Sequence, residues 1–93
     1  MRIRWTPEAA QDLSIASNYI FTDSPEASRR VATAINNAAK SLKAFPFRGR
    51  LGSIAPTREL LVESYPYVLV YAVVEDTIVI LNIYHSAQDR PSY

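Results

Sequence analysis

The chain has 93 residues, of which 48% are hydrophobic and 20% charged, with ten basic and nine acidic side chains and a net charge of +1. That is room for one domain over residues 1–93, with a modest core, and too apolar for disorder. With no cysteine and one histidine, a disulfide framework, a thiolate nucleophile and a cysteine- or multi-histidine metal site are excluded, and so small a positive charge is unusual for a protein that holds nucleic acid mainly through its phosphates.

No apolar run is long enough for a membrane span, and Met1-Arg2-Ile3-Arg4-Trp5 has too little apolar character for a signal peptide, so a cytoplasmic location is expected. Arg2 to Trp5 alternates polar and apolar residues and predicts a short half-buried strand with Trp5 as a core anchor. Thr6-Pro7-Glu8-Ala9 then starts a helix: the threonine caps free backbone N–H groups, proline at the first helical position loses nothing, and Glu8 meets the positive end of the dipole. Ser24-Pro25-Glu26-Ala27 repeats that grammar and starts a second helix. In the first helix Ala9, Leu13, Ala16 and Ile20 form an apolar stripe that Ile15 and Tyr19 widen, while Glu8, Gln11, Asp12 and Asn18 look outward. In the second, Ala27, Val31, Ile35, Ala38 and Leu42 form the stripe, continued by Phe45. Arg29, Arg30, Asn36, Asn37, Lys40 and Lys43 take its outer face. The short link at Phe21 to Asp23 makes the helices antiparallel neighbours.

Pro46 ends the second helix. Phe45 to Pro56 reads as a loop, with Gly49, Gly52, Arg48 and Arg50, and Lys40 and Lys43 just upstream. It fits either an ordinary mixed-charge surface or a small anion-facing patch. Arg58 to His85 holds most of the long apolar side chains and four of the six tyrosines, and it reads as three successive strands. The first begins at Arg58 and runs to Val62, Tyr65-Pro66 turns the chain, and the second runs from Tyr67 to Val74. Glu75-Asp76 makes a tight hairpin into the third, Thr77 to His85. A two-residue turn sets Val74 opposite Thr77, Ala72 opposite Val79 and Val70 opposite Leu81. One face then carries Val68, Val70, Ala72, Val74, Val79, Leu81 and Ile83, and its aliphatic character assigns it to the helices. The other carries Tyr67, Leu69, Tyr71, Val73, Ile78, Ile80, Asn82 and Tyr84. An uncovered face so apolar and so rich in tyrosine has the composition of a partner-binding or dimerising surface, unless the loop from Phe45 to Pro56 or the C-terminal tail folds over it. Residues 86–93 read as a polar tail.

The chain resembles toxins of the ParE/RelE superfamily of bacterial type II toxin–antitoxin systems, with a pattern nearest to ParE-like members. The resemblance rests on Trp5-Thr6-Pro7 with Ala10 and Asp12-Leu13, Tyr19-Ile20 before Ser24-Pro25, and Leu42 to Pro46. It continues through Gly49-Arg50, Thr57-Arg58-Glu59-Leu60, Pro66-Tyr67, Val70-Tyr71 and Ile80 to His85. It implies an α+β fold of order β-α-α-β-β-β, with an antiparallel helix hairpin on one face of an antiparallel sheet. It implies no cofactor. It also implies a cognate antitoxin whose C-terminal segment wraps the toxin, and the face bearing Tyr67, Leu69, Tyr71 and Tyr84 is where that partner is expected. The toxin alone as a homodimer and a heterotetramer with antitoxin are both compatible with this.

Function divides within the superfamily. RelE-like members cleave messenger RNA in the ribosome with basic and acid–base side chains that activate a ribose hydroxyl and stabilise charge on phosphorus. ParE-like members poison DNA gyrase. Where the RelE pattern has its catalytic arginines this chain has Glu63 and Gln88, and where it has lysines this chain has Ile54 and Pro56. This departure favours a non-catalytic gyrase inhibitor, with Arg50 and Arg58 as target-contact candidates outside the expected core. The alternatives are a YoeB-like nuclease, using His85 with Arg58 or Arg50 on a ribosome-bound message, and an inactive antitoxin-binding module. Tyr84-His85 resembles the YoeB ending, and an imidazole suits proton transfer, although a lone histidine at a strand end more often serves the fold.

Overall fold

A computed structural model describes residues 1–87. Strand β1 (Arg2–Trp5) leads into the hairpin of α1 (Pro7–Phe21) and α2 (Pro25–Ser41), followed by β2 (Arg50–Leu51), β3 (Thr57–Leu61), β4 (Tyr67–Val74) and β5 (Thr77–His85). The five strands form one sheet in the order β1-β5-β4-β3-β2. Thus the α+β expectation and the element order hold, with two differences. The loop after α2 contributes the short edge strand β2, and the sheet is mixed, because β1 lies parallel to β5 while the other pairs are antiparallel.

Both helices begin as their sequences dictate. The Thr6 and Ser24 hydroxyls accept the N–H groups of Ala9 and Ala27 at 3.1 and 3.2 Å, and proline occupies the first turn of each helix. Helix α2 stops at Ser41, before Pro46 is reached, and Leu42 caps it. Val31, Ile35, Ala39 and Leu42 of α2 are buried, and Ser28 sits in the interhelix contact, where its hydroxyl donates to the Ser17 carbonyl at 2.8 Å. Phe45 does not continue this stripe: the chain has left the helix, and the ring is 67% exposed. Nor do Ile15 and Tyr19 widen the stripe of α1, since both project from the protein surface.

The covered face of the sheet is the reverse of the sequence expectation. Tyr67, Leu69, Tyr71, Ile78, Ile80 and Ile83 form one core with Ala9, Val31, Ile35, Ala39 and Leu42 of the helices, and Ile3 and Trp5 pack against it. Val68, Val70 and Tyr84, with Leu81, make a separate cluster on the other side. The hairpin register is as expected near the turn, with Val74 opposite Thr77 and Ala72 opposite Val79. It then shifts: Tyr71 faces Ile80 but Val70 faces Asn82, so Leu81 is an extra residue in β5. A one-residue insertion moves every later side chain to the opposite face. It carries Ile83 under the helices, leaves Tyr84 on the far side, and brings His85 opposite Tyr67.

Strand β1 ends at Trp5, opposite Ile80, and leaves the rest of the β5 edge without a ladder partner. The start of α1 closes it. The Thr6 N–H donates to the Ile80 carbonyl at 3.0 Å, and its hydroxyl meets the Ile80 and Leu81 carbonyls at 2.9 and 3.1 Å. Asp12 then accepts the Ile83 N–H at 2.9 Å and the Asn82 amide at 3.1 Å through Oδ2. Asp12 therefore faces the sheet rather than solvent; its carboxylate takes the place of a neighbouring strand.

The reversal is directly testable. Leu69→Ala, within the helix-covered core, is expected to cost about 2–5 kcal/mol in urea unfolding. Leu61→Ala, on the opposite face and 63% exposed, should stay within about 0.5 kcal/mol of the parent. The opposite order would restore the aliphatic face as the core.

Candidate functional site

Two surfaces flank the covered core. The first is a groove of about 500 Å³ between α1 and the ends of β4 and β5, lined by Asp12, Ile15, Ala16, Tyr19, Tyr67, Ile83, Tyr84 and His85. Its α1 rim is apolar and open: Ile15 is 60% and Tyr19 75% exposed. Its floor is fixed by the β5 bulge, which aims Ile83 and His85 to this side of the sheet. The His85 ring meets Tyr67 edge-on, with centroids 5.4 Å apart, and its Nδ1 accepts the Ala87 N–H at 3.1 Å. Burial, reinforced by the nearby Tyr19, raises the Tyr67 hydroxyl above the ordinary tyrosine value of 10.0.

All four residues expected to meet a partner are buried: Leu69 and Tyr71 fully, beneath the helices, and Tyr67 and Tyr84 nearly so, although these two also line the floor of this groove. The expectation of one exposed tyrosine face is corrected accordingly. Tyr84 turns its hydroxyl to Glu59 across the far face at 3.1 Å. Helical spacing predicts Ile15 and Tyr19 in the core, but the sheet covers only one side of α1 and leaves both at the rim of the groove.

The second surface is the loop between α2 and β3. Tyr71 holds it from inside the core, donating its hydroxyl to the Pro46 carbonyl at 2.8 Å and accepting the Gly49 N–H at 3.0 Å. Gly49 is needed for this approach, because a Cβ there would stand 2.8 Å from the Tyr71 ring and hydroxyl and 2.9 Å from the Glu59 carbonyl. Arg58 braces the same loop. Its guanidinium donates to the carbonyls of Phe47 at 3.2 Å and Gly49 at 2.9 Å, and lies 5.0 Å from the centre of the Phe47 ring. Arg50 reaches back to the buried carboxylate of Glu59 at 3.1 Å, with its own side chain 65% exposed. Both target-contact candidates therefore have structural duties as well.

The third group of sequence candidates, the nuclease set, is not assembled. His85 faces Tyr67 at the start of β4, while Arg58 faces Tyr71 four residues further on and across another strand. That separates them by about 13 Å along the strands and about 10 Å across. Glu63 lies exposed beyond the end of β3. Gln88 and the remainder of the polar tail lie outside the described residues.

Comparison with known proteins agrees with this architecture. Residues 3–90 match the family model described as the ParE toxin of the type II toxin–antitoxin system, parDE. The chain is 40% identical over 87 residues to toxin RelE2 of Caulobacter vibrioides, covering 94% of this chain and 97% of the relative. It is 39% identical over 90 residues to Y4kP of Sinorhizobium fredii, whose name assigns it provisionally as a toxin, covering 97% and 93%. Among solved structures, a chain from the chromosomal ParDE toxin–antitoxin system of P. aeruginosa superposes with a TM-score of 0.81 at 28% identity, over 91% of this chain and 95% of that one.

The Tyr71 anchor has a pH signature. Burial pushes its hydroxyl above 10.0, against the lowering effects of the Gly49 N–H and of Arg58 and Arg48. The folded state thus favours the neutral phenol, so its contribution is fully present below pH 10.0 and is lost as pH rises through that value toward the folded one. Stability is expected to fall above about pH 10, and Tyr71→Phe should flatten that fall. At neutral pH the same variant should lose about 1–3 kcal/mol, because a half-buried carbonyl and a buried N–H lose their partner. Equilibrium unfolding of parent and variant across the alkaline range checks both.

Proposed function

The chain belongs to the ParE toxin family of type II toxin–antitoxin systems, and on that basis we propose that it inhibits DNA gyrase and is held inactive by its antitoxin in the groove between α1 and β5. It is a type II toxin with a cognate antitoxin as its partner. The target and the docking site are the proposed parts.

The observation that carries the gyrase reading is the separation of the acid–base candidate from the phosphate-binding candidates. Cleavage of a ribose–phosphate bond needs a proton-transfer group and a cation within reach of the same phosphate. His85 lies against Tyr67, and Arg50 and Arg58 are tied to Glu59 and to loop carbonyls two strands away. This separation supports an action by binding rather than by cleavage. The antitoxin reading is supported by the open apolar rim of the groove. Ile15 and Tyr19 stand beside Tyr67 and Ile83, in a depression of about 500 Å³ that an apolar segment of another chain fits. Such a toxin works where gyrase works, in the cytoplasm, and no helix among the described residues is long and apolar enough to cross a membrane.

A gyrase supercoiling assay with purified toxin tests the activity. The expected result is inhibition that added antitoxin reverses, and that His85→Ala retains. Unimpaired supercoiling by folded toxin, with cleavage of messenger RNA in translating ribosomes, would replace this reading with the RelE-type one. Folded toxin without effect in either assay would leave an inactive antitoxin-binding module.

A further inference from the structure

The loop between α2 and β3 carries a second surface that neither antitoxin capture nor the groove accounts for. Charge along the chain is strongly segregated. Residues 27–58 hold seven of the ten basic side chains and none of the nine acidic ones, so the net charge of +1 conceals a basic stretch within an otherwise acidic chain. At its centre two large apolar rings face outward: Phe45 is 67% and Phe47 62% exposed. With Ala44, Pro46 and Arg48 they line an open slot of about 390 Å³. Lys43 is exposed immediately before it, Arg48 is anchored to the Ser41 hydroxyl at 2.8 Å, and Arg58 lies 5.0 Å from the centre of the Phe47 ring.

This segment is held in place. Tyr71 fixes Pro46 and Gly49 from beneath, and Arg58 fixes Phe47 and Gly49 from the side. The rings are therefore presented on a braced backbone, at no gain to the core. Exposed aromatic faces with interleaved guanidinium and ammonium groups are what binding of unpaired nucleotides needs: bases stack on the rings and phosphates meet the cations. An aliphatic partner would be served by the rings alone and would leave the surrounding positive charge unmatched.

We propose that Phe45 and Phe47, with Lys43, Arg48 and Arg58, form a binding platform for single-stranded nucleic acid. The sugar is left open by this chemistry, since stacking and phosphate contacts are common to DNA and RNA. The platform is independent of the target of the toxin.

Fluorescence anisotropy with labelled oligothymidylate and oligouridylate, and with a duplex of equal length, tests it. The expected result is single-strand binding that exceeds duplex binding. Log affinity should fall with log salt at a slope of about −2, as three phosphate contacts require. The Phe45→Ala/Phe47→Ala double variant should bind about tenfold or more weakly, with an unchanged melting temperature because both rings are exposed. Tighter binding of one oligonucleotide identifies the sugar. Absence of binding at low salt, equal affinity for the duplex, or a double variant that binds as well as the parent would each overturn the proposal. A double variant that loses gyrase inhibition while the parent binds no oligonucleotide would make the patch a protein contact instead.

Discussion

One extra residue in β5 decides what this protein buries and what it shows. Leu81 interrupts the pairing with β4, so that Ile80 and Ile83, three positions apart, both point under the helices. Without it Asn82 would point into the apolar core and Ile83 would leave it. With it, the core keeps an unbroken row of Ile78, Ile80 and Ile83 opposite Val73, Tyr71 and Leu69. The shift also sets the end of the strand, placing His85 against Tyr67 on the helix side and Tyr84 above Val68 and Val70 on the other. The groove exists because of this arrangement. Strand β1 stops at Trp5, and beyond it Thr6 and Asp12 satisfy the backbone of β5 from α1, which holds the helix beside the sheet edge and leaves Ile15 and Tyr19 above the gap.

Tyr71 joins this core to the outer loop. It is fully buried at 0% exposure, yet its hydroxyl pairs with Pro46 and Gly49 and so ties the chain after α2 to the core. A buried tyrosine is favourable when its apolar ring fills the core and its polar end reaches a partner. Arg58 does comparable work from outside. A residue whose guanidinium sits among carbonyls and above a ring reads in sequence as a free loop-edge cation, but here one of its nitrogens also braces the loop.

Much of the fold was legible. Thr6-Pro7 and Ser24-Pro25 fixed both helix starts because capping and proline placement are local physics, and β4, β5 and their two-residue turn were read with their observed limits. The choice of covered face was not legible. Alternation tells which side chains share a face, not which face the helices meet, and here both faces are apolar. Preference for an aliphatic interior then selected the wrong one, since nothing in the sequence shows that loop groups will satisfy Tyr71. The bulge was invisible for a related reason: Leu81 and Ile83 fit an apolar strand in either register. Helical spacing grouped Ile15 and Tyr19 with the core, but a two-layer fold covers only one side of α1. Family resemblance located the toxin class correctly, while two of the residues expected to face its antitoxin, Leu69 and Tyr71, are closed off beneath the helices by the reversed sheet.

The most direct test of the groove is amide hydrogen exchange on the toxin with and without its antitoxin. Protection that increases over residues 12–20 and at residues 83–85, with no change at Val70 and Val79, is the expected result. Increased protection confined to β3 and the far face of β4, with α1 unchanged, would contradict it and return the partner to the far side of the sheet.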